Sequence, residues 1–121
     1  MGWYIAAQKI DFSKRNVLND KIAYLKNLQE ILHNMGYIVF QSAKTAKNNT
    51  TEILNGKKIS SYPVLEEILL EAGNVAYDSP WRFQGFCNEA VYNINNMILT
   101  LSQERDDITS KKDNEIKKGW F

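Results

Sequence analysis

The sequence predicts an α+β domain in which the helices pack on one face of a small mixed sheet. Three observations predict this class. Residues 3–10 are rich in aromatic and β-branched side chains, a helical apolar period over residues 18–35 runs directly into the apolar segment 37–40, and an Asn-Gly pair occupies positions 55 and 56. With two later helix-start signals, the predicted order of elements is β-α-β-(β-hairpin)-α-α.

The first three predicted elements are a strand, a helix and a strand. Residues 3–10 lie between Gly2 and Asp11 and have the composition of a strand with a buried face. Ser13 is a candidate N-cap for a helix of about 20 residues, with Gly36 as its left-handed C-terminal cap. The apolar residues of this helix recur at spacings of three and four: Leu18, Ile22, Leu25, Leu28, Ile31 or Leu32, and Met35. Residues 37–40 then predict the second strand.

A loop and a hairpin are predicted next. Residues 44–49 are polar and indicate an exposed loop, and the segments on either side of Asn55-Gly56 are short and partly apolar. An Asn-Gly pair favours a two-residue hairpin turn because both central residues of that turn need positive φ. The sequence leaves open whether residues 50–60 form a projecting β-arm or an addition to the edge of the sheet.

Two helices complete the predicted domain. Ser61 and Pro63 indicate the start of the first, Gly73 indicates its end, and its inward stripe is Val64, Leu65, Ile68, Leu69 and Ala72. Ser79-Pro80 is a second start signal. The final helix is predicted to end near Glu104, with an apolar face formed by Cys87, Val91, Ile94, Ile98 and Leu101.

These elements predict one globular domain over residues 1–104, followed by a polar, mobile C-terminal tail over residues 105–121. Trp120 and Phe121 are the two large aromatic residues of this tail. The sequence leaves open whether they dock onto the domain, contact a neighbouring chain or form a linear motif.

Composition indicates a cytoplasmic protein. The chain is 44% hydrophobic and 24% charged, as in ordinary globular domains. A single cysteine cannot form an internal disulfide, no apolar run has the length of a membrane span, and the first residues lack the pattern of a signal peptide. The abundance of Asn, Ile and Lys suggests an AT-rich gene, as is common in bacteria and mobile elements.

The sequence contains little material for catalysis or metal binding. His33 and Cys87 are the one histidine and the one cysteine, and neither has partners at ligand spacing. His33 lies near the C-terminal end of its predicted helix, where a positive charge interacts favourably with the helix dipole. Cys87 is expected to lie in the core. No P-loop, Rossmann, zinc-finger or helix-turn-helix pattern is present. We therefore expect no metal, no cofactor and no enzymatic activity.

Charge is unevenly distributed along the chain. Residues 62–104 contain Arg82 against six acidic residues, a net charge of −5, whereas residues 44–61 contain four lysines against Glu52, a net charge of +3. The acidic stretch contains an unusual run of aromatic residues around Arg82, and Trp and Arg are common at binding hot spots. The predicted partner-binding residues are Glu66, Glu67, Glu71, Asp78, Trp81 and Arg82.

Three functional hypotheses follow. The first is a protein-binding domain of the immunity-protein or antitoxin type, which blocks a basic partner such as a nuclease toxin through its acidic helical face. The second is a nucleic-acid-binding accessory protein whose lysine-rich hairpin contacts phosphates through Lys44, Lys47, Lys57 and Lys58. The third and weakest is a small enzyme that uses Glu or Asp with Tyr. The partner and the oligomeric state stay open, and no membrane association is expected.

Overall fold

The computed structural model describes the backbone of residues 2–119 and the side chains of residues 13–108, and all its regular elements in that part are helices. The elements in chain order are α1 (Gly2–Ile38), α2 (Ala43–Asn55), a short 3₁₀ helix (Lys58–Ser61), α3 (Pro63–Val75) and α4 (Pro80–Gly119). Residues 2–119 contain no strand. The prediction of an α+β fold with a mixed sheet is therefore wrong. Trp120 and Phe121 lie outside the described residues.

The chain divides into two compact units, of which the first combines Met1–Lys26 with Asn96–Phe121. It contains the beginning of α1 and the end of α4. Leu18, Ile22 and Leu25 are buried along α1 in this unit, at the three- and four-residue spacing of a helix face. The Arg105 side chain of α4 donates a hydrogen bond from Nη1 to Oδ1 of Asn19, at 3.0 Å.

The second unit, Asn27–Asn95, contains the rest of α1, the two shorter helices, the 3₁₀ helix and the start of α4. Here α1 and α4 run antiparallel, because Gln29 donates to the carbonyl of Val91 whereas Gly36, further along α1, faces Cys87. Helix α2 packs against α3. The buried apolar residues of this unit are Leu28, Leu32, Met35, Val39, Ala46, Ile59, Leu65, Ile68, Leu69, Ala72, Ala76, Phe83, Cys87, Ala90 and Ile94.

Both predicted strands beside the first helix are in fact part of α1 or of the turn that follows it. Residues 3–10 contain two alanines, Gln and Lys, which favour helix, and no proline interrupts the chain before Ser13, which lies inside α1. At the other end Val39 is buried four residues after Met35, and its N–H bonds to the Met35 carbonyl at 3.1 Å. The apolar period therefore continues through Gly36, whose φ is not positive.

The predicted loop 44–49 and the predicted hairpin are replaced by α2 and the 3₁₀ helix. Ser42 caps this helix, since its Oγ accepts the N–H of Thr45 at 3.1 Å. Ala46 and Thr50 are buried one helical turn apart. Gly56 ends the helix with φ −72° and ψ 142°, an extended conformation. Because φ is negative there, the Asn-Gly pair does not form the hairpin turn that its sequence favours.

The two later helix starts are confirmed. Helix α3 begins at Pro63 and α4 at Pro80, where the Oγ of Ser79 accepts the N–H of Arg82 at 3.2 Å. Gly73 does not end α3, which continues to Val75, and α4 continues past its predicted end to Gly119. Among the described residues, no helix has an apolar stretch long enough to cross a membrane.

Candidate protein-binding surface

One side of α3 and the turn after it face solvent. The buried side of the helix is formed by Leu65, Ile68, Leu69 and Ala72. The residues on the opposite side and in the turn are exposed, and we call this set the α3 outer face: Val64, Glu67, Leu70, Glu71, Asn74, Tyr77 and Asp78. Glu67 and Glu71 lie one helical turn apart, which places their side chains next to each other. The face therefore combines acidic and apolar groups.

The acidic residues of this region have no partner within the described part of the chain. Neither an ion pair nor a hydrogen bond involves the carboxylates of Glu67, Glu71 or Asp78 among residues 13–108. The same holds for Glu66, which is half-buried at the edge of the face. Their negative charge is therefore available to a cationic group from outside the chain.

Three large apolar side chains lie among these carboxylates. Val64 is 52% exposed, Leu70 51% and Tyr77 60%. Single exposed apolar residues are normal on protein surfaces, and these three alternate with the exposed carboxylates along α3 and the turn after it. The prediction that Val64 points inward is wrong, because the buried stripe of α3 begins one residue later, at Leu65.

Trp81 and Arg82 lie in the first turn of α4 and both are exposed. Trp81 is 74% exposed, and its ring meets that of Phe40 edge to face, with centroids 4.8 Å apart. Arg82 forms no ion pair with Asp78 or with Glu89. Phe83, in contrast, is fully buried. The first turn of α4 thus anchors the helix through Phe83 and presents Trp81 to solvent.

The four lysines of the nucleic-acid hypothesis do not form one array. Lys44 lies in the first turn of α2 and Lys57 lies beyond its last residue, Asn55, so about 16 Å of helix axis at about 1.5 Å per residue separates Lys44 from the end that carries Lys57. Lys47 places its Nζ 5.9 Å from the centre of the Tyr77 ring, and Lys58 opens the 3₁₀ helix. With the hairpin absent, this hypothesis loses the β-arm on which it depended.

The two residues considered for chemistry lie apart from the α3 outer face. His33 is exposed on α1 and contacts the Tyr37 ring edge to face at 5.4 Å. Cys87 is buried in α4, and burial raises the pKa of its thiol to about 12. Among the described residues, no three His, Cys, Asp or Glu side chains lie close enough to share a metal ion.

Sequence reasoning located the acidic residues and Trp81 but missed three of their neighbours. Leu70 falls outside the buried stripe of α3, and helical spacing from Leu65, Ile68 and Leu69 would have placed it outward. Tyr77 and Phe40 lie in turns, where no periodic signal assigns a side chain to one face. Comparison of the chain with protein-family models, with curated proteins and with solved structures found no significant match.

Proposed function

We propose that this chain is a non-enzymatic domain that binds a basic partner protein through the α3 outer face. One observation supports the proposal above the others. The carboxylates of Glu67, Glu71 and Asp78 have no partner among the described residues, and exposed Leu70 and Tyr77 lie between them along the chain. Apolar groups at the centre of a contact and charged groups around it are the usual composition of a protein interface.

The two kinds of group would act at different stages of binding. Unpaired carboxylates attract a cationic surface over a distance and raise the association rate, an effect that salt weakens. Val64, Leu70 and Tyr77 would then lose water against the partner and slow its dissociation. Trp81 and Arg82, at the start of α4, follow Asp78 by three and four residues and are residue types common at hot spots.

A domain that binds a basic surface can inhibit a partner protein that uses that surface to hold nucleic acid. Proteins that act on nucleic acids hold phosphates with Lys and Arg, and an acidic domain on those groups excludes the substrate sterically and electrostatically. We therefore propose an immunity or antitoxin role in the cytoplasm of a bacterium, against a nuclease or a similar toxin.

A pull-down of the tagged full chain from a lysate of its source organism, with and without nuclease treatment, tests this function. The test variant is Glu67→Gln, Glu71→Gln, Asp78→Asn. The matched control is Glu30→Gln, Glu52→Gln, Glu89→Gln, which changes the net charge equally at exposed positions on the other helices. We expect a stoichiometric, nuclease-resistant partner that the control retains and the test variant loses.

Two results would contradict the proposal. If nuclease treatment removes everything that the chain retains, the acidic face does not hold a protein. If both triple variants lose the partner equally, overall charge matters and the α3 outer face does not.

A further inference from the structure

Asn55 precedes Gly56, and it is the one asparagine of the sequence that is followed by a glycine. The pair does not form a hairpin turn, because Gly56 has φ −72° and ψ 142° and ends α2. Both residues are exposed to solvent. Neither belongs to the α3 outer face, so the chemistry of this pair is separate from the proposed function.

The side-chain amide of Asn55 is free to turn toward the main chain. It has no hydrogen-bond partner in the part of the chain whose side chains are described. Other asparagines are held, since Asn19 accepts a hydrogen bond from Arg105 and Asn93 donates one to the Glu89 carbonyl. Asn55 is also the last residue of α2, and the last carbonyls of a helix have no intrahelical partner.

The main-chain nitrogen of Gly56 is the nucleophile nearest to this amide along the chain. Its attack on Cγ of Asn55 closes a ring, and glycine has no side chain to obstruct the approach. One hydrogen bond restrains this nitrogen, from its N–H to the Ile53 carbonyl at 3.1 Å. Helix ends open easily and a single hydrogen bond contributes little net free energy, so this bond slows the attack by no more than about tenfold.

We propose that Asn55 is a site of spontaneous deamidation, at which the folded chain converts an asparagine into aspartate and isoaspartate. The Gly56 nitrogen gives up its proton and bonds to Cγ of Asn55, while the bond from Cγ to the side-chain nitrogen breaks. Ammonia leaves with that proton and a cyclic imide remains. One water molecule then opens the imide at either of its carbonyl carbons, so the reaction needs no oxidant, reductant or enzyme.

The reaction changes both charge and main-chain length where α2 leads into the 3₁₀ helix. Four lysines and Glu52 give residues 44–61 a net charge of +3, which one new carboxylate lowers to +2. In isoaspartate the main chain passes through the side-chain carbon, which adds one atom between α2 and the buried Ile59. The altered form differs in charge from the original, so isoelectric focusing separates the two.

Incubation of the purified full chain at neutral and at mildly alkaline pH, followed by peptide mass mapping, tests this inference. Every other asparagine in the sample is an internal reference. The test variants are Gly56→Ala and Asn55→Gln, whose longer side chain disfavours the ring. Asn34→Gln is the matched control, because Asn34 is exposed within α1 and precedes a methionine. A circular dichroism spectrum of each variant verifies that it is folded.

We expect acid to appear at position 55 before any other asparagine reacts, and faster at the alkaline pH because the attacking nitrogen must lose its proton. Isoaspartate should accompany aspartate, and each should take up one heavy oxygen atom from heavy-oxygen water. Gly56→Ala should slow the reaction severalfold, since its methyl group restricts the approach. Asn55→Gln should abolish the reaction, and Asn34→Gln should leave the rate at Asn55 unchanged.

Three results would overturn the inference. The first is a rate at Asn55 no higher than the rate at Asn34. The second is aspartate without isoaspartate, which would mean direct hydrolysis of the amide. The third is a reaction more than about tenfold faster in urea than in the folded chain, because the end of α2 would then protect the pair.

Discussion

Gly36 of α1 faces Cys87 of α4 across a gap that one added methyl group would fill. A β-carbon added at Gly36 would be 3.7 Å from Cβ of Cys87 and 3.5 Å from Cγ of Gln84, both ordinary contact distances. Gly36 is buried and lies two residues before the end of α1. The glycine thus occupies a close approach of two helices, and its backbone is not in the left-handed region.

Gly36→Ala is expected to stabilise the protein. Alanine adds one methyl group that fits the available space, and it lowers the entropy of the unfolded chain, a gain of about 0.5–1 kcal/mol in the free energy of unfolding. Gly36→Leu should instead destabilise by about 1–3 kcal/mol, since its larger side chain meets Gln84 and Cys87. Urea unfolding measures both. A less stable alanine variant would mean that position 36 needs positive φ, as a C-terminal cap does.

The helices with long apolar periods could be predicted from the sequence. Spacings of three and four predict the buried stripe of α1 from Leu18 to Met35 and the buried face of α4 around Cys87 and Ile94. Pro63 and Pro80 also marked helix starts correctly, because proline is favoured in the first turn, where its missing N–H has no intrahelical partner.

The structure differs from the prediction in the remaining segments because their local propensity is weaker than their tertiary packing. Residues 37–40 are rich in strand-favouring side chains, yet Val39 extends the buried stripe of α1. Tertiary burial outweighs a strand propensity that spans only about 1 kcal/mol. Helix α2 is largely polar, and its two fully buried residues are Ala46 and Thr50. Thr50 is buried, with its hydroxyl donating to the Ala46 carbonyl. A hydrophobicity pattern does not mark it as a core residue because threonine is polar.

The candidate site was predictable in part. Charge alone identified Glu67, Glu71 and Asp78, because a net charge of −5 in one stretch is visible without a fold. The contact between Phe40 and Trp81 was not predictable, since 41 positions separate the two residues and the sequence reading placed Phe40 in a strand.

Ser42→Ala tests whether α2 exists in solution. The Ser42 hydroxyl accepts the N–H of Thr45, so its removal leaves a helix N–H without its cap and should cost about 1 kcal/mol of stability. Ser61→Ala, at an exposed position, is the control and should change stability by less than about 0.5 kcal/mol. Chemical unfolding curves compare the two. Equal stability of both variants would argue against the capped helix and revive a loop at residues 44–49.

Phe83 and Trp81 lie two residues apart on α4 and should differ sharply in their contribution to stability. Phe83 is fully buried, and Phe83→Ala should cost about 3–5 kcal/mol through lost burial and the cavity left behind. Trp81→Ala removes an exposed ring with one aromatic contact and should cost about 1 kcal/mol or less. Thermal and urea unfolding measure both. A large loss for Trp81→Ala would assign the ring to the core and remove it from the binding surface.

Because the Cys87 thiol is buried, the free energy of unfolding should fall at alkaline pH. Burial raises the pKa of its thiol from 9.0 to about 12, so the folded protein keeps the proton over a pH range in which the unfolded chain loses it. The contribution of the protonated Cys87 thiol to the free energy of unfolding is therefore complete below pH 9.0 and declines as the pH rises toward about 12.

Cys87→Ala isolates this effect from other alkaline titrations. The stability advantage of the natural protein over the variant should shrink between pH 9.0 and about 12, because alanine has no proton to lose. Unfolding curves at a series of pH values give the difference. At neutral pH the thiol should also resist aromatic disulfide reagents until the protein unfolds, since the thiolate is the reacting species. A constant difference across this range, or rapid labelling of the native protein, would place Cys87 at the surface.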